Sequence, residues 1–206
     1  MAKFLSVISR PTLNRIVEPL ARGLLRIGVS PNAVTVAGSV GVVAASVIFA
    51  AHGHLLAGTL IITGCALTDL LDGTMARLRG SKSKWGALLD STVDRISDAA
   101  VLGGVAYWLA TTNQHRGATL ALVCLILGQL VSYVKARAEG LGFSANVGLA
   151  ERAERLLILG VGGLLAGLGL KPALEVALWV LAALSVITIA QRMIHVYRQA
   201  REPINS

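Results

Sequence analysis

The sequence predicts an all-α, polytopic membrane protein, and its composition and apolar pattern carry that prediction. Apolar residues make up 54% of the 206 residues, whereas charged residues make up only 15%. A soluble domain carries roughly 25% charged residues, so this chain cannot cover a water-facing surface. The apolar runs are long and continuous rather than alternating, which argues against a transmembrane β-barrel.

Six apolar runs are long enough to cross a bilayer core of ~30 Å, which needs about 20 helical residues. Ser30 and Pro31 precede the first run as a helix cap and first-turn residue. We therefore predict a six-span domain over residues 31–206. Its spans cover roughly 32–51, 55–77, 85–110, 117–139, 152–169 and 172–197.

Residues 1–30 form a basic juxtamembrane segment ahead of the spans. Apolar residues recur in it at helical spacing, at Leu13, Ile16, Leu20 and Leu24. This spacing predicts an amphipathic helix lying in the membrane interface. The alternative is a basic tail that only sets the orientation of the protein.

Lysine and arginine are distributed unevenly between the two sides of the predicted bundle. Sixteen of the 19 fall at the two termini and in the loops after the second and fourth spans. Only Arg116 and Lys171 fall on the other side, and Arg95 lies within the third span. By the positive-inside rule, both termini face the cytoplasm of a cell-membrane protein. This bias accounts for the net charge of +8, so we expect no nucleic-acid partner.

All five aspartates fall between residues 69 and 98. An ionisable group within a span costs about 2.5–3.5 kcal/mol, so such a cluster needs a compensating positive charge. Asp69 and Asp72 share one helix face, and Asp90 and Asp94 share a face of the next helix. Because a short basic loop joins the two helices, the four carboxylates can converge near the cytoplasmic side. Such hard oxygen ligands suit Mg²⁺, Mn²⁺ or Ca²⁺, and four are enough for two ions.

The residues around the aspartates fit a phosphate ligand. Gly73 is a glycine within a helix, where it costs about 1 kcal/mol relative to alanine, and it allows a ligand close to the backbone. Gly86 has the same use on the facing helix, and Arg77 is placed to hold a phosphate. The alternative is a salt-bridge network with Arg95, but one arginine cannot offset four carboxylates. We expect Asp98 to pack or hydrogen-bond rather than to bind metal.

The stretch from Asp69 to Asp94 resembles the signature of the CDP-alcohol phosphotransferases. Every fixed position of that signature is present: Asp69, Asp72, Gly73, Ala76, Arg77, Gly86, Asp90 and Asp94. The resemblance implies two divalent ions, Mg²⁺ with Mn²⁺ as a possible substitute, on the diphosphate of a CDP-linked lipid. Asp69, Asp72 and Asp90 would be metal ligands, and Asp94 would contact the second ion and act as the general base.

The resemblance also implies a substrate, a reaction and an assembly. A hydroxyl of the acceptor would attack the lipid-bearing phosphate of CDP-diacylglycerol, and CMP would leave. The nucleotide contacts would be Pro31, Asn32, Gly73, Arg77 and Ser83. The family forms homodimers, although the small-residue stripes of the spans could equally serve packing within one chain.

A second basic group bears on the acceptor. Lys135 and Arg137 end the fourth span, and Arg152 and Arg155 share a face at the start of the fifth. Guanidinium groups bind phosphate bidentately, so these residues, with Arg192, could hold a phosphorylated acceptor or could only set orientation. Lys135 and Arg137 are about 200° apart on a helix. They can share a site only if the helix ends there, as Gly140 and Gly142 would allow.

Segments 10–198, and most clearly 28–35, 132–140, 146–148 and 151–155, resemble the phosphatidylinositol-phosphate synthases of actinobacteria, one group within this family. That resemblance implies 1D-myo-inositol 3-phosphate as the acceptor. The acceptor-phosphate contacts would be Ser132, Lys135, Arg137, Arg152, Arg155 and Arg192. The alternatives are a phosphatidylglycerophosphate synthase or another CDP-alcohol phosphotransferase. From another class, a cation-coupled transporter is the alternative, although transporters usually bind near the midplane on broken helices.

Overall fold

The computed structural model describes residues 10–80 and 83–201, with side chains from residue 17 onward. Residues 1–9 of the predicted juxtamembrane segment, Lys82 of the basic loop and residues 202–206 lie outside the described residues. The described part is helical and contains no strand, which confirms the all-α prediction. Its α-helices are α1 (Arg10–Arg26), α2 (Pro31–Ile48), α3 (Leu55–Ala66), α4 (Thr68–Leu78), α5 (Lys84–Thr111), α6 (His115–Gly140), α7 (Arg152–Gly167) and α8 (Pro172–Arg201).

The helices follow the predicted spans closely, with one break that the sequence does not signal. The second predicted span is divided at Leu67 into α3 and α4. There the Thr68 hydroxyl donates to the Cys65 carbonyl at 2.6 Å. Thr68 also packs so closely on Gly38 of α2 that a Cβ at residue 38 would collide with the Thr68 hydroxyl. The apolar pattern runs unbroken through this point, and Leu55–Leu78 as a whole is still long and apolar enough to cross a membrane. The predicted span is therefore present, although the sequence did not predict its interruption at Leu67.

Four stretches of the described chain are long and apolar enough to cross a membrane: Pro31–His52, Leu55–Leu78, His115–Gly140 and Pro172–Arg201. The other two predicted spans form helices that differ in character. α5 is long, but it carries Asp90, Asp94, Arg95 and Asp98 near its middle and before it. α7 has 16 residues, which span about 24 Å at 1.5 Å per residue. Four such stretches indicate a membrane protein, and the count of six stays a prediction.

The chain divides into two compact units at Trp108 and Leu109. In the first unit, α2 packs against α3 and α4, and α1 packs against α4. Ala21 of α1 and Met75 of α4 are fully buried beside Val34. Leu20 of the predicted apolar stripe is 57% exposed. The face of α1 that packs on α4 is thus centred on Ala21, which the sequence did not single out.

In the second unit, α8 packs against both α6 and α7. Gly162 brings α7 very close to α8, because a Cβ there would collide with the Ala177 side chain. Residues 141–151 connect α6 to α7 without regular structure. Hydrogen bonds from α8 hold this connection in place, and they position the arginines described below.

Candidate active site

The first unit contains a cavity of about 190 Å³, which we call the signature cavity. It is formed by the start of α2, by α4 and by the start of α5. Its lining residues are Ser30, Pro31, Asn32, Thr35, Asp72, Gly73, Ala76, Arg79, Ser83, Gly86 and Asp90. It therefore brings five of the eight signature positions to one place.

Asp72 is the most enclosed carboxylate of the signature cavity, at 7% exposure. The Thr35 hydroxyl of α2 donates to Asp72 Oδ2 and also lies 3.1 Å from the Pro31 carbonyl. A buried carboxylate needs such a donor because its desolvation is costly. Thr35 thus orients Asp72, a role that the sequence analysis did not assign.

Gly86 keeps one wall of the signature cavity open. A Cβ at this residue would lie 3.0 Å from Ser83 Oγ and 3.1 Å from Asn32 Oδ1. The Gly86 N–H donates to Ser83 Oγ at 2.9 Å, so Ser83 caps the N-terminus of α5. The predicted nucleotide contacts Asn32 and Ser83 are therefore held on either side of a glycine.

The two arginines at the end of α4 have different surroundings. The Arg77 Nη2 donates to Thr74 Oγ1 at 2.8 Å, and Arg77 is absent from the lining of the signature cavity, whereas Arg79 is part of it. Both side chains are exposed. The sequence analysis selected Arg77 as the phosphate contact and missed Arg79, because only Arg77 belongs to the signature.

The aspartates are brought together in part. Asp72 and Asp90 line the signature cavity, and the charges of Asp69 and Asp90 both act on Asp72. Asp94 lies 3.9 Å from Arg95, whose guanidinium is also 3.7 Å from Asp98.

Within residues 10–80 and 83–201, no three Asp, Glu, His or Cys side chains form a ready metal-ligand group. The carboxylate oxygens are nevertheless the donors that hard divalent cations prefer. The chemistry of the donor set therefore fits such a cation, and the convergence of all four carboxylates stays a prediction.

Two of the predicted acceptor contacts, Arg155 and Arg192, are buried in the second unit, and we call them the arginine cluster. Arg192 is 3% exposed. It donates through Nε to the Val147 carbonyl at 2.9 Å and through Nη1 to the Val131 carbonyl at 2.5 Å. Its Nη2 also lies 3.8 Å from Glu151. Arg192 thus joins α8 to α6 and to the connection before α7.

Arg155 is 7% exposed, and its Nη1 donates to the Ala150 carbonyl at 3.3 Å. Its guanidinium packs over Gly128 of α6, where a Cβ would lie 3.6 Å from Arg155 Nε. The charge of Arg155 acts on Arg192. The structure therefore brings these two predicted contacts close together.

The remaining predicted acceptor contacts are Ser132, Lys135, Arg137 and Arg152, and they do not all share one face of a helix. Ser132 donates its hydroxyl to the Gly128 carbonyl at 3.2 Å, and Lys135 lies 3.9 Å from Glu139. α6 continues to Gly140, three residues past Arg137, so Lys135 and Arg137 stay about 200° apart on one regular helix. The early helix end that would let both face one site does not occur. Arg152 is the first residue of α7 and is partly buried.

Comparison with known proteins places the chain in a family. The family model for CDP-alcohol phosphatidyltransferases matches residues 28–196. The chain is similar to the phosphatidylinositol phosphate synthase of Mycobacterium marinum, at 44% identity over 199 residues that cover 92% of this chain and 83% of the relative. The corresponding enzyme of Streptomyces avermitilis is 42% identical over 96% of this chain and 84% of its own length.

Solved structures of the phosphatidylinositol phosphate synthase of Mycobacterium tuberculosis are also similar. The crystal structure with CDP-DAG bound has a TM-score of 0.85 and 43% sequence identity, over 89% of this chain and 94% of that chain. The complex with manganese and citrate has a TM-score of 0.84 and 42% identity, over 88% of each chain. The chain described here therefore belongs to the CDP-alcohol phosphatidyltransferase family.

Proposed function

We propose that this membrane enzyme transfers the phosphatidyl group of CDP-diacylglycerol to 1D-myo-inositol 3-phosphate, giving phosphatidylinositol phosphate and CMP. The observation that carries the proposal is the signature cavity, in which Asp72, Gly73, Gly86 and Asp90 meet. Relatives that share about 43% identity over most of the chain are phosphatidylinositol phosphate synthases. Family membership also counts against a cation-coupled transporter.

The donor nucleotide binds in the signature cavity of the first unit. Pro31, Asn32, Gly73 and Ser83 line this cavity and supply the nucleotide contacts. Arg79 adds a guanidinium at the lining, where it can pair with a phosphate of the donor. Arg77, held by Thr74, is the signature arginine beside it. The relative from M. tuberculosis that was crystallised with CDP-DAG supports this assignment.

Asp69, Asp72, Asp90 and Asp94 would hold two Mg²⁺ ions, with Mn²⁺ as a substitute. The manganese complex of the M. tuberculosis relative supports divalent metal use in this fold. Bound divalent cations neutralise the negative charge of a diphosphate and of its leaving group. Thr35 contributes by holding the Asp72 carboxylate in one orientation.

Asp94 acts as the general base. Its carboxylate removes the proton from the attacking hydroxyl of the acceptor, and the hydroxyl oxygen then forms a bond to the lipid-bearing phosphorus. The bond from that phosphorus to the CMP oxygen breaks. One P–O bond thus replaces another, CMP leaves, and the proton of the hydroxyl ends on Asp94. A carboxylate in this position is a typical general base.

The phosphate already present on the acceptor binds to cations of the second unit. Arg152, Arg155 and Lys135 carry this role, with Arg192 holding the connection beside them through Val147. Ser132, three residues before Lys135, completes the proposed set on the same face of α6, whereas Arg137 lies about 200° from Lys135 and is left out of it. Two adjacent guanidinium groups suit a phosphomonoester because each can donate two hydrogen bonds to it.

The proposed placement in the membrane has six spans, with α5 and α7 as the less apolar ones, over residues 31–206. Both termini and the signature cavity face the cytoplasm of the cell membrane, and α1 lies at its interface. The distribution of lysine and arginine supports this orientation. A homodimer is the proposed assembly, with small residues of the spans at the interface.

The test is acceptor-dependent release of CMP. Purified enzyme in lipid nanodiscs receives CDP-diacylglycerol, Mg²⁺ and either inositol 3-phosphate or glycerol 3-phosphate, and the lipid product is identified by mass spectrometry. We expect rapid CMP release and phosphatidylinositol phosphate with the first acceptor alone. A faster reaction with glycerol 3-phosphate would contradict inositol 3-phosphate as the acceptor. If neither compound causes CMP release, transfer to both compounds is contradicted.

A further inference from the structure

The connection between α6 and α7 is attached to one face of α8 by three side chains. Gln199 exchanges two hydrogen bonds with the backbone of Ser144, at 2.9 and 2.6 Å. Arg192 donates to Val147 at 2.9 Å. Thr188 Oγ1 accepts the backbone N–H groups of residues 149 and 150, at 3.1 and 2.9 Å. Thr188 and Arg192, four residues apart, lie one above the other on the helix.

Ala150 links Thr188 to Arg155. Its N–H donates to Thr188 Oγ1 at 2.9 Å, and its carbonyl accepts from Arg155 Nη1 at 3.3 Å. Ala150 and Thr188 are both 0% exposed, so water does not substitute for either hydrogen bond. One hydrogen bond of the Arg155 guanidinium is therefore made to the carbonyl of a residue that Thr188 holds.

Both branches of the Thr188 side chain are in use. Its hydroxyl oxygen accepts the two N–H groups, and its methyl group packs on Gly148. A Cβ at residue 148 would collide with Thr188 Cγ2, and Gly148 has a φ of +140°, which side-chain-bearing residues rarely adopt. A valine at residue 188 would keep the shape but lose the acceptor, whereas a serine would keep the acceptor.

We propose that Thr188 is a positioning residue for acceptor recognition: it fixes Ala150 and, through the Ala150 carbonyl, orients the Arg155 guanidinium that binds the acceptor phosphate. The inference rests on the proposed function, because it takes Arg155 as an acceptor contact. Thr188 itself touches no substrate. Its effect is therefore on the acceptor rather than on the donor.

The test compares Michaelis constants for the two substrates in the full-length enzyme. We expect Thr188→Val to raise the KM for inositol 3-phosphate about tenfold, the effect of roughly one well-formed hydrogen bond on affinity. The KM for CDP-diacylglycerol should stay within about twofold. Thr188→Ser should restore the acceptor KM to within about threefold of the parent.

Gln199→Leu is the matched control, since it also removes two hydrogen bonds to the same connection, but at Ser144. It should change the acceptor KM by less than about twofold. Thr188→Ala also removes the acceptor oxygen, and it replaces Thr188→Val if the valine variant does not fold. An equal rise of both Michaelis constants in the Thr188 variant would overturn the inference.

A double-mutant cycle separates this inference from the proposed function. Arg155→Gln should raise the acceptor KM, and adding Thr188→Val to it should cause no further rise, because coupled residues are not additive. Full additivity would overturn the role of Thr188 while leaving the acceptor site intact. An unchanged acceptor KM in Arg155→Gln alone would overturn the proposed acceptor site, and this inference with it.

Discussion

The signature cavity of the first unit and the arginine cluster of the second unit are built in opposite ways. The cavity is bordered by glycines, helix starts and the Asp72 and Asp90 carboxylates. In the cluster, Arg155 and Arg192 are 7% and 3% exposed and already donate to backbone carbonyls. One region offers free volume for a ligand, and the other offers charge that the surrounding backbone holds in place.

This difference teaches that the two regions respond differently to mutation. In the signature cavity a substitution acts on the ligand directly, by charge or by volume. In the arginine cluster a substitution also removes the partner of a buried carbonyl, which costs free energy whether or not a ligand is bound. Substitutions at Arg192 and Gly86 test this contrast, and one at Asp94, one turn from Asp90, tests the chemistry beside the cavity. They follow in order of decreasing expected effect.

Asp94→Asn should have the largest effect. An asparagine side chain cannot accept the proton, so turnover should fall by about 10²–10⁴, the usual contribution of a general base. CDP-diacylglycerol binding should persist, since Asp94 is not part of the cavity lining. CMP release and equilibrium binding of the donor measure the two effects.

The matched control for Asp94→Asn is Asp98→Asn. Asp98 lies one turn further along α5 and is also close to Arg95. The Asp98→Asn substitution therefore removes a comparable negative charge from a neighbouring position. We expect it to retain most of the turnover. Normal turnover in Asp94→Asn would remove Asp94 from the role of base.

Arg192→Met should lower the stability of the protein by about 3 kcal/mol, because it takes the donors away from two carbonyls and the partner away from Glu151. For a chain of this size that corresponds to a fall of roughly 6–12 °C in thermal midpoint. Arg198→Met, at an exposed position of the same helix, should leave the midpoint nearly unchanged. Equal midpoints for the two variants would show that Arg192 is not structural.

Gly86→Ala should have the smallest effect of the three. The added Cβ would lie 3.0 Å from Ser83 Oγ and 3.1 Å from Asn32 Oδ1, so it would narrow the nucleotide side of the signature cavity. We expect the KM for CDP-diacylglycerol to rise about tenfold, or about 1.4 kcal/mol. Gly103→Ala is the control on the same helix, since no atom lies within 4 Å of its added Cβ. A similar KM in both variants would contradict the predicted narrowing.

The sequence predicts the helices and the signature cavity well, because both depend on local patterns. Apolar length marks the spans, and the spacing of Asp72, Gly73, Gly86 and Asp90 places them on two joined helices that meet. The sequence analysis assigned no role to Thr35 or Arg79, because neither residue is a fixed position of the signature. Their place at the cavity follows from how α2 and the end of α4 pack.

The arginine cluster could be predicted by residue type but not by environment. The sequence marks Arg155 and Arg192 as cations near a phosphate, yet their partners lie in a connection without periodic pattern. Arg192 bonds to Val131, 61 residues away, and to Val147, 45 residues away. Contacts between residues so far apart in the chain cannot be predicted from the spacing of residues in the sequence. The break at Leu67 is similar, because it depends on the fit of Thr68 against Gly38.

The burial of Met75 beneath α1 connects the segment before the first span to α4, the helix that carries Asp72. Met75 is one turn from Asp72 on α4, and it is fully buried in the same cluster as Ala21 and Val34. A bulkier side chain at position 21 would push on the helix that carries the carboxylate, at a distance from any substrate. The side chain at position 21 of α1 is thereby constrained by the need to keep the helix that carries Asp72 in place.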